Sequence, residues 1–188
     1  METAFIVSLI LTWLVILFNL LLTFGIVRRL NAKSHSGLSV GLKEGEPAPD
    51  FIAHTLNREE VTLSTFTGHQ VVFVFISPDC RPCREILPSI NALGPKALIA
   101  GVELVLVSGS DAEKTSTLAA ELDISLRFLV APLENTSFIK DYKSTNTPSY
   151  CYIDEQGKIR SSGYCGKGGA SWENLSGAWT KKEALASL

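Results

Sequence analysis

Hydrophobic positions divide the chain into an uncharged N-terminal stretch and a longer part in which apolar and polar segments alternate. No charged residue lies between Ala4 and Val27. As a helix rising 1.5 Å per residue, this stretch would be ~36 Å long, enough to cross a hydrocarbon core of ~30 Å. Residues 1–30 are therefore predicted to form a transmembrane helix with its flank. An export signal that is cleaved late or not at all is the alternative, although such signals have a shorter apolar core.

Residues 31–44 are rich in Ser, Gly and Lys and lack periodicity, which predicts a flexible tether. Residues 45–188 have the length of one ordinary domain. Its patterns predict strands at 51–55, 60–63, 71–76, 103–107, 126–130, 149–153 and 158–162, and helices at 82–94, 111–122, 134–142 and 172–188. Strands that alternate with helices predict parallel neighbours with right-handed crossovers, so the expected fold class is α/β, a mixed sheet flanked by helices.

The chemistry is concentrated in Cys80-Arg81-Pro82-Cys83, between the buried strand pattern and the first helix pattern. A thiol at a helix start lies near unpaired N–H groups and the positive end of the helix, which favour a thiolate. Cys80 is therefore the predicted attacking thiol, and Cys83, one turn inside the helix, is the predicted resolving thiol. Arg81 and Arg84 would lower the pKa of Cys80, and Asp79 would raise it.

A zinc site is the alternative for this pair, but it needs four ligands, usually in two close pairs. The other cysteines, Cys151 and Cys165, are fourteen positions apart, and all three histidines precede Cys80. The pattern therefore favours redox chemistry with no metal and no cofactor. A net charge of −2 argues against a nucleic-acid partner.

Thr147-Pro148 stands immediately before the strand pattern at 149–153. Together with the strand, the C-x-x-C pair and the helix, it resembles the thioredoxin superfamily. The resemblance implies a thioredoxin-like fold, a cis-proline at Pro148 that faces the dithiol, and pairing of Thr147 with the substrate backbone. The entry segment Gly45–Phe51 and the helix proline Pro88 resemble the membrane-anchored TlpA/ResA group. Residues 75–80 also resemble MauD-type maturation factors.

This resemblance implies an enzyme, a thiol–disulfide oxidoreductase that acts on protein thiols and disulfides and exchanges electrons with an upstream redox partner. It also implies a single-pass anchor in the cytoplasmic membrane through residues 4–27, with the catalytic domain on the extracytoplasmic side. The positive charges of Arg28, Arg29 and Lys33 predict the opposite orientation, because basic flanks tend to stay in the cytoplasm.

Two other functions are compatible with parts of the sequence. Residues 48–51 also resemble the entry segment of peroxiredoxins, and Ser77 occupies a position three residues before Cys80 where those enzymes have Thr or Ser, but their upstream proline is missing. A metal-binding chaperone on the same fold would need a histidine downstream of the cysteines, and this sequence has none there.

Three positions depart from the pattern or add to it. Val74 stands where thioredoxins carry a buried acid, so the sequence does not identify the group that accepts the proton of Cys83. Glu85 and solvent are the candidates.

The hairpin register predicts that Cys165 lies beside Thr147 and Pro148. There it is either an auxiliary third thiol or an inert buried cysteine. Cys151 is predicted to be a small buried hydrophobe that forms no bridge to Cys165, because the register separates them.

Overall fold

A computed structural model describes residues 6–7, 11–23, 41–166 and 169–186, with side chains as far as residue 181. Contacts divide the chain into two compact units, residues 1–39 and 40–188. The described residues of the first unit are helical. Among all described residues, no helix combines the length and the apolar character that crossing a bilayer requires. Part of the predicted span at 4–27 lies outside these described ranges. Residues 31–40 of the predicted tether lie outside them as well.

The second unit contains one seven-stranded sheet with the strand order β2-β1-β5-β4-β3-β6-β7. β3 is an interior strand that pairs parallel with β4 and antiparallel with β6, while β4, the middle strand, also pairs parallel with β5. The sheet is therefore mixed, as predicted. Its strands are β1 (Ile52–Thr55), β2 (Glu60–Thr62), β3 (Gln70–Ile76), β4 (Val102–Ser108), β5 (Arg127–Val130), β6 (Ser149–Ile153) and β7 (Ile159–Tyr164).

The helices cover both faces of the sheet. Buried residues of α1, α2 and α4 share one apolar cluster with one face of the sheet. The other face is covered by α3, a 3₁₀ helix and the segment before β1. The helices are α1 (Arg81–Ile99), α2 (Ala112–Glu121), α3 (Phe138–Asp141) and α4 (Ala170–Ala186), and the 3₁₀ helix is Leu63–Phe66.

β3 is buried on both faces, which explains its continuous apolar sequence. Val72 and Val74 pack toward α1, whereas Phe73 packs into an aromatic cluster on the opposite face. In that cluster Phe51 stacks on Phe138 with ring centroids 3.8 Å apart, and it meets Phe73 edge-on at 5.3 Å. The strand that leads into the dithiol is therefore held rigidly from both sides.

Two helices differ in length from the sequence prediction. α1 continues to Ile99 through Pro95, five residues beyond its predicted end, because Ala97 packs against the sheet in the apolar cluster. α3 is shorter than predicted, since the N–H groups of Asn135 and Thr136 donate to the Pro132 carbonyl in a separate turn.

The residues just before the predicted domain start also contact the sheet unit. Gly41 has a φ of 99°, which favours glycine, and its N–H donates to the Lys143 carbonyl at 3.2 Å. The Ser162 hydroxyl donates to the Leu42 carbonyl at 2.6 Å. Residues 41 and 42, which were predicted to belong to the tether at 31–44, are thus hydrogen-bonded to the domain.

Candidate active site

The dithiol lies where β3 gives way to α1. Cys80 is the N-cap of α1, with an extended backbone, and its Sγ accepts a hydrogen bond from the Cys83 N–H at 3.2 Å. Pro82 sits in the first turn, where a helix needs no N–H donor. The first turn therefore places the two sulfur atoms close together, beside a backbone N–H that has no carbonyl partner within the helix.

Cys80 and Cys83 are joined by a disulfide, with their Cα atoms 5.3 Å apart. This distance is within the usual range for a disulfide. Cys83 is fully buried, whereas Cys80 is only partly buried. Cys80 is thus the more accessible sulfur of the pair, and its role as the attacking thiol stays a prediction.

The Thr147–Pro148 peptide bond is cis, as the resemblance implied. The Thr147 carbonyl oxygen lies 3.6 Å from the Cys80 Sγ. Thr147 is partly exposed and Pro148 is buried. The structure therefore assembles four of the predicted site residues at one place, namely Cys80, Cys83, Thr147 and Pro148.

The two arginines around the dithiol both have carboxylate partners. Arg81 Nε donates to Glu85 at 2.9 Å, and Arg84 donates to Glu121 of α2 at 2.6 Å. Their positive charge is partly compensated by these pairs, so their effect on Cys80 is weaker than the charges alone predict. Glu85 is held against Arg81 at the exposed surface of α1, whereas Cys83 packs toward the sheet.

The floor beneath the dithiol is apolar. Val74, at the position of the buried acid in thioredoxins, is fully buried in the same cluster as Cys83. In the part of the chain that the structure describes, the buried polar residues are only serines and a threonine. A buried carboxylate for Cys83 is therefore missing from the described core, and solvent and Glu85 remain the candidates.

Cys165 lies next to the site, as the hairpin register predicted. Its N–H donates to the Pro148 carbonyl at 3.2 Å, and its side chain is fully buried. Burial raises the pKa of the Cys165 thiol to about 12, which keeps it protonated near neutral pH. Its role as an auxiliary thiol stays a prediction.

Cys151 is buried in β6, between Phe73 of β3 and Ser162 of β7. Burial raises the pKa of its thiol to about 12 as well. Cys151 and Cys165 are both free, in agreement with the expectation that they form no bridge. Within the described ranges, no cluster of three or more His, Cys, Asp or Glu side chains could hold a metal ion.

Sequence reasoning missed a groove whose lining begins at Pro82, the residue immediately before Cys83. It lies between α1 and α4, has a volume of about 570 Å³, and includes Pro82, Ile86, Tyr164 and Trp172 in its lining. Trp172 and Trp179 of α4 are seven residues apart, a spacing that places them on one face of a helix. Their rings do meet, 6.0 Å apart, and Trp172 also contacts Tyr150 of β6 at 5.2 Å.

Comparison with known proteins identifies the family. The model of the AhpC/TSA family matches residues 45–162, more than half of the chain. The chain belongs to the AhpC/TSA family. This match begins at the predicted entry segment and ends in β7, so it includes the dithiol and the cis-proline loop.

Curated relatives of this AhpC/TSA chain include a thioredoxin-like protein and a thiol-disulfide oxidoreductase. The thioredoxin-like protein YneN of Bacillus subtilis is 29% identical over 132 residues, 68% of this chain and 75% of that protein. The thiol-disulfide oxidoreductase ResA of Bacillus thuringiensis is 31% identical over 117 residues, 61% of this chain and 66% of that protein.

The fold is shared with solved thioredoxin-like structures. The thioredoxin domain of a thiol-disulfide oxidoreductase from Bacteroides vulgatus superposes with a TM-score of 0.58 at 21% identity. The superposition covers 64% of this chain and 88% of that one. The predicted thioredoxin-like fold of the AhpC/TSA domain is therefore confirmed.

Proposed function

We propose that this AhpC/TSA chain is an enzyme, a thiol–disulfide oxidoreductase that exchanges disulfides with protein substrates through Cys80 and Cys83. One observation carries the proposal. A disulfide joins a partly exposed cysteine at the helix start to a buried cysteine one turn later, beside the Thr147 carbonyl. The name of the ResA relative, thiol-disulfide oxidoreductase, supports the same activity.

In the reducing direction, the Cys80 thiolate attacks one sulfur of a substrate disulfide. A mixed disulfide forms, and the other substrate sulfur leaves as a thiolate that takes up a proton. Cys83 then loses its proton and attacks the Cys80 Sγ, which releases the second substrate thiol and closes the Cys80–Cys83 bond. Two electrons pass from the enzyme to the substrate, and the reverse sequence oxidises a substrate dithiol.

The start of α1 stabilises the attacking form of Cys80. The Cys83 N–H that donates to the Cys80 Sγ is one of the helix's free amides, and hydrogen bonds to a charged acceptor are stronger than neutral ones. In the oxidising direction, the same amide would stabilise the negative charge on Cys80 when a second substrate thiol displaces it from the mixed disulfide.

Thr147 supplies the contact for the substrate chain. Its carbonyl is adjacent to the Cys80 Sγ, so a substrate cysteine bonded to Cys80 brings its own backbone close to Thr147. Backbone pairing there would fix the direction of the substrate segment, while buried Pro148 positions the loop.

We also propose that residues 4–27 anchor the enzyme in the cytoplasmic membrane, with the dithiol domain on the extracytoplasmic side. The support is the uncharged stretch of 24 residues. An upstream redox partner in or at the same membrane would then restore the dithiol. A reporter fused after Leu188 that is active only outside the cytoplasm tests the orientation.

Reduction of insulin by the full chain, with dithiothreitol as the electron source, tests the enzymatic proposal. Cys80→Ser should remove the rate above that of dithiothreitol alone. Reduced Cys83→Ser, mixed with insulin after dithiothreitol is removed, should accumulate a mixed disulfide visible on a non-reducing gel. Cys151→Ala is the matched control, because Cys151 is buried away from the helix start, and it should retain activity. Full activity of Cys80→Ser would refute the proposal.

A further inference from the structure

The groove between α1 and α4 runs away from the dithiol along the surface of the domain. Pro82, which stands between the two cysteines, lines one end, and Leu93, further along α1, also lines it. At 1.5 Å per residue, these two positions are ~16 Å apart along the helix axis. An extended chain advances ~3.3 Å per residue, so the groove has the length of about five residues.

The walls of the groove are largely apolar. Ile86 and Leu93 of α1 are partly buried on one side, and Trp172 of α4 is buried on the other. Tyr164, at the end of β7, keeps 41% of its surface exposed beside them. An apolar side chain that enters this groove would leave water for an apolar surface, which is a favourable transfer.

The charged residues that line the groove in the described part of the chain are both acidic. Glu85 stands on α1, where it pairs with Arg81, and Glu173 stands on α4. None of these lining residues is basic, so an acidic segment would find no opposite charge on the walls of the groove. The groove is therefore suited to an apolar segment without acidic residues.

We propose that this groove binds the segment of the protein substrate that flanks the reacting cysteine, and that it selects apolar segments over acidic ones. The inference rests on the proposed dithiol exchange. It follows from continuity, because Pro82 stands between the two cysteines and lines one end of the groove, so a substrate cysteine bonded to Cys80 would lie near that end. The groove thus determines which disulfides the enzyme prefers, while the two cysteines perform the exchange.

The test uses the reduced full chain and two six-residue peptides, each with one cysteine in mixed disulfide with 5-thio-2-nitrobenzoate. One peptide carries Leu and Val beside the cysteine, and the other carries Asp and Glu. Each reaction consumes one enzyme dithiol and releases the peptide thiol and the coloured thiolate. Ellman's reagent, a small disulfide with no peptide, serves as the reference reaction.

The apolar peptide should react at least about tenfold faster than the acidic one, a difference of ~1.4 kcal/mol. Ser89 is exposed on α1 and lines the groove, so the larger side chain in Ser89→Trp should occupy it. This variant should lower the ratio of the apolar-peptide rate to the Ellman rate about tenfold. Ala92→Trp, on the same helix at an exposed position that does not line the groove, is the matched control.

Equal rates for the two peptides, or an equal fall of the ratio in Ser89→Trp and Ala92→Trp, would overturn the groove proposal. In either case a normal Ellman reaction would leave dithiol exchange intact. Failure of the wild-type chain to react with Ellman's reagent would instead overturn the proposed exchange itself. Thermal unfolding of both tryptophan variants confirms that each one is folded.

Discussion

The Sγ of Cys80 lies 3.6 Å from the carbonyl oxygen of Thr147, although 67 residues separate them in the chain. Strand pairing produces this contact, because Phe75 near the end of β3 pairs with Ser149 at the start of β6. The loop before β6 therefore emerges at the edge from which the dithiol loop leaves β3. In the proposed exchange, a substrate cysteine bonded to Cys80 would therefore lie close to the backbone of Thr147.

Disulfide exchange should be much faster than peroxide reduction. The arginines beside Cys80 are paired with Glu85 and Glu121, so neither is a free cation that could activate a bound peroxide. Cys83 also stands close enough to capture Cys80 in an intramolecular disulfide. We expect the reduced chain to consume hydrogen peroxide more slowly than it reduces insulin.

Parallel assays with equal enzyme, one following peroxide and one following insulin, make this comparison. Cys80→Ser is the control for both, because any rate that survives it does not come from the dithiol. Peroxide turnover well above disulfide turnover would instead favour a thiol peroxidase.

Only the dithiol should react with an alkylating reagent in the folded, reduced protein. Burial raises the pKa of Cys151 and Cys165 to about 12, so both are protonated and shielded near neutral pH. Iodoacetamide at pH 8, followed by peptide mass spectrometry, should modify Cys80 first and leave Cys151 and Cys165 unmodified. All four cysteines should react in denaturant, and rapid labelling of Cys165 without it would support the auxiliary-thiol hypothesis.

Stability should fall as the pH rises above about 9. In the unfolded chain a cysteine loses its proton near a pKa of ~8.5, whereas folded Cys165 keeps it until about pH 12. The folded state therefore binds more protons in this window, and the free energy of unfolding decreases with pH by at most ~1.4 kcal/mol per pH unit for each such cysteine. Below the unfolded pKa this contribution is fully present.

Urea unfolding of the reduced protein from pH 7.5 to 10.5 measures this slope. Cys165→Ala removes one of the titrating thiols, so the free energy of unfolding should decrease less steeply with pH than in the wild type, whatever its absolute value. An identical slope in both proteins would show that Cys165 does not contribute.

The cap of α2 should make a measurable contribution to stability. The Asp111 carboxylate accepts a hydrogen bond from the Lys114 N–H at 2.8 Å, which satisfies one free donor of the first turn. Asp111→Ala should lower the free energy of unfolding by ~1 kcal/mol, and Asp111→Asn, which keeps the acceptor, should lower it much less. Urea midpoints of the three proteins measure the difference, and equal losses in both variants would contradict the capping role.

Local patterns in the sequence determined most of the elements and the dithiol. The continuous apolar run of β3 predicted a buried strand, and the pattern at 111–122 predicted α2, because both signals depend on neighbouring residues. The length of α1 was not predictable in this way. Its end depends on Ala97 packing against a sheet that is distant in sequence, and this packing outweighs the presence of Pro95.

The sequence by itself determined which residues could do the chemistry: a cysteine at a helix start, a second cysteine one turn later, and a proline before a strand. Only the tertiary structure decided what surrounds them. Strand pairing brought the Thr147 carbonyl to Cys80, an ion pair with Glu121 of α2 engaged Arg84, and packing of α4 beside α1 created the groove. These relationships join residues far apart in the chain, so no local pattern of side chains encodes them.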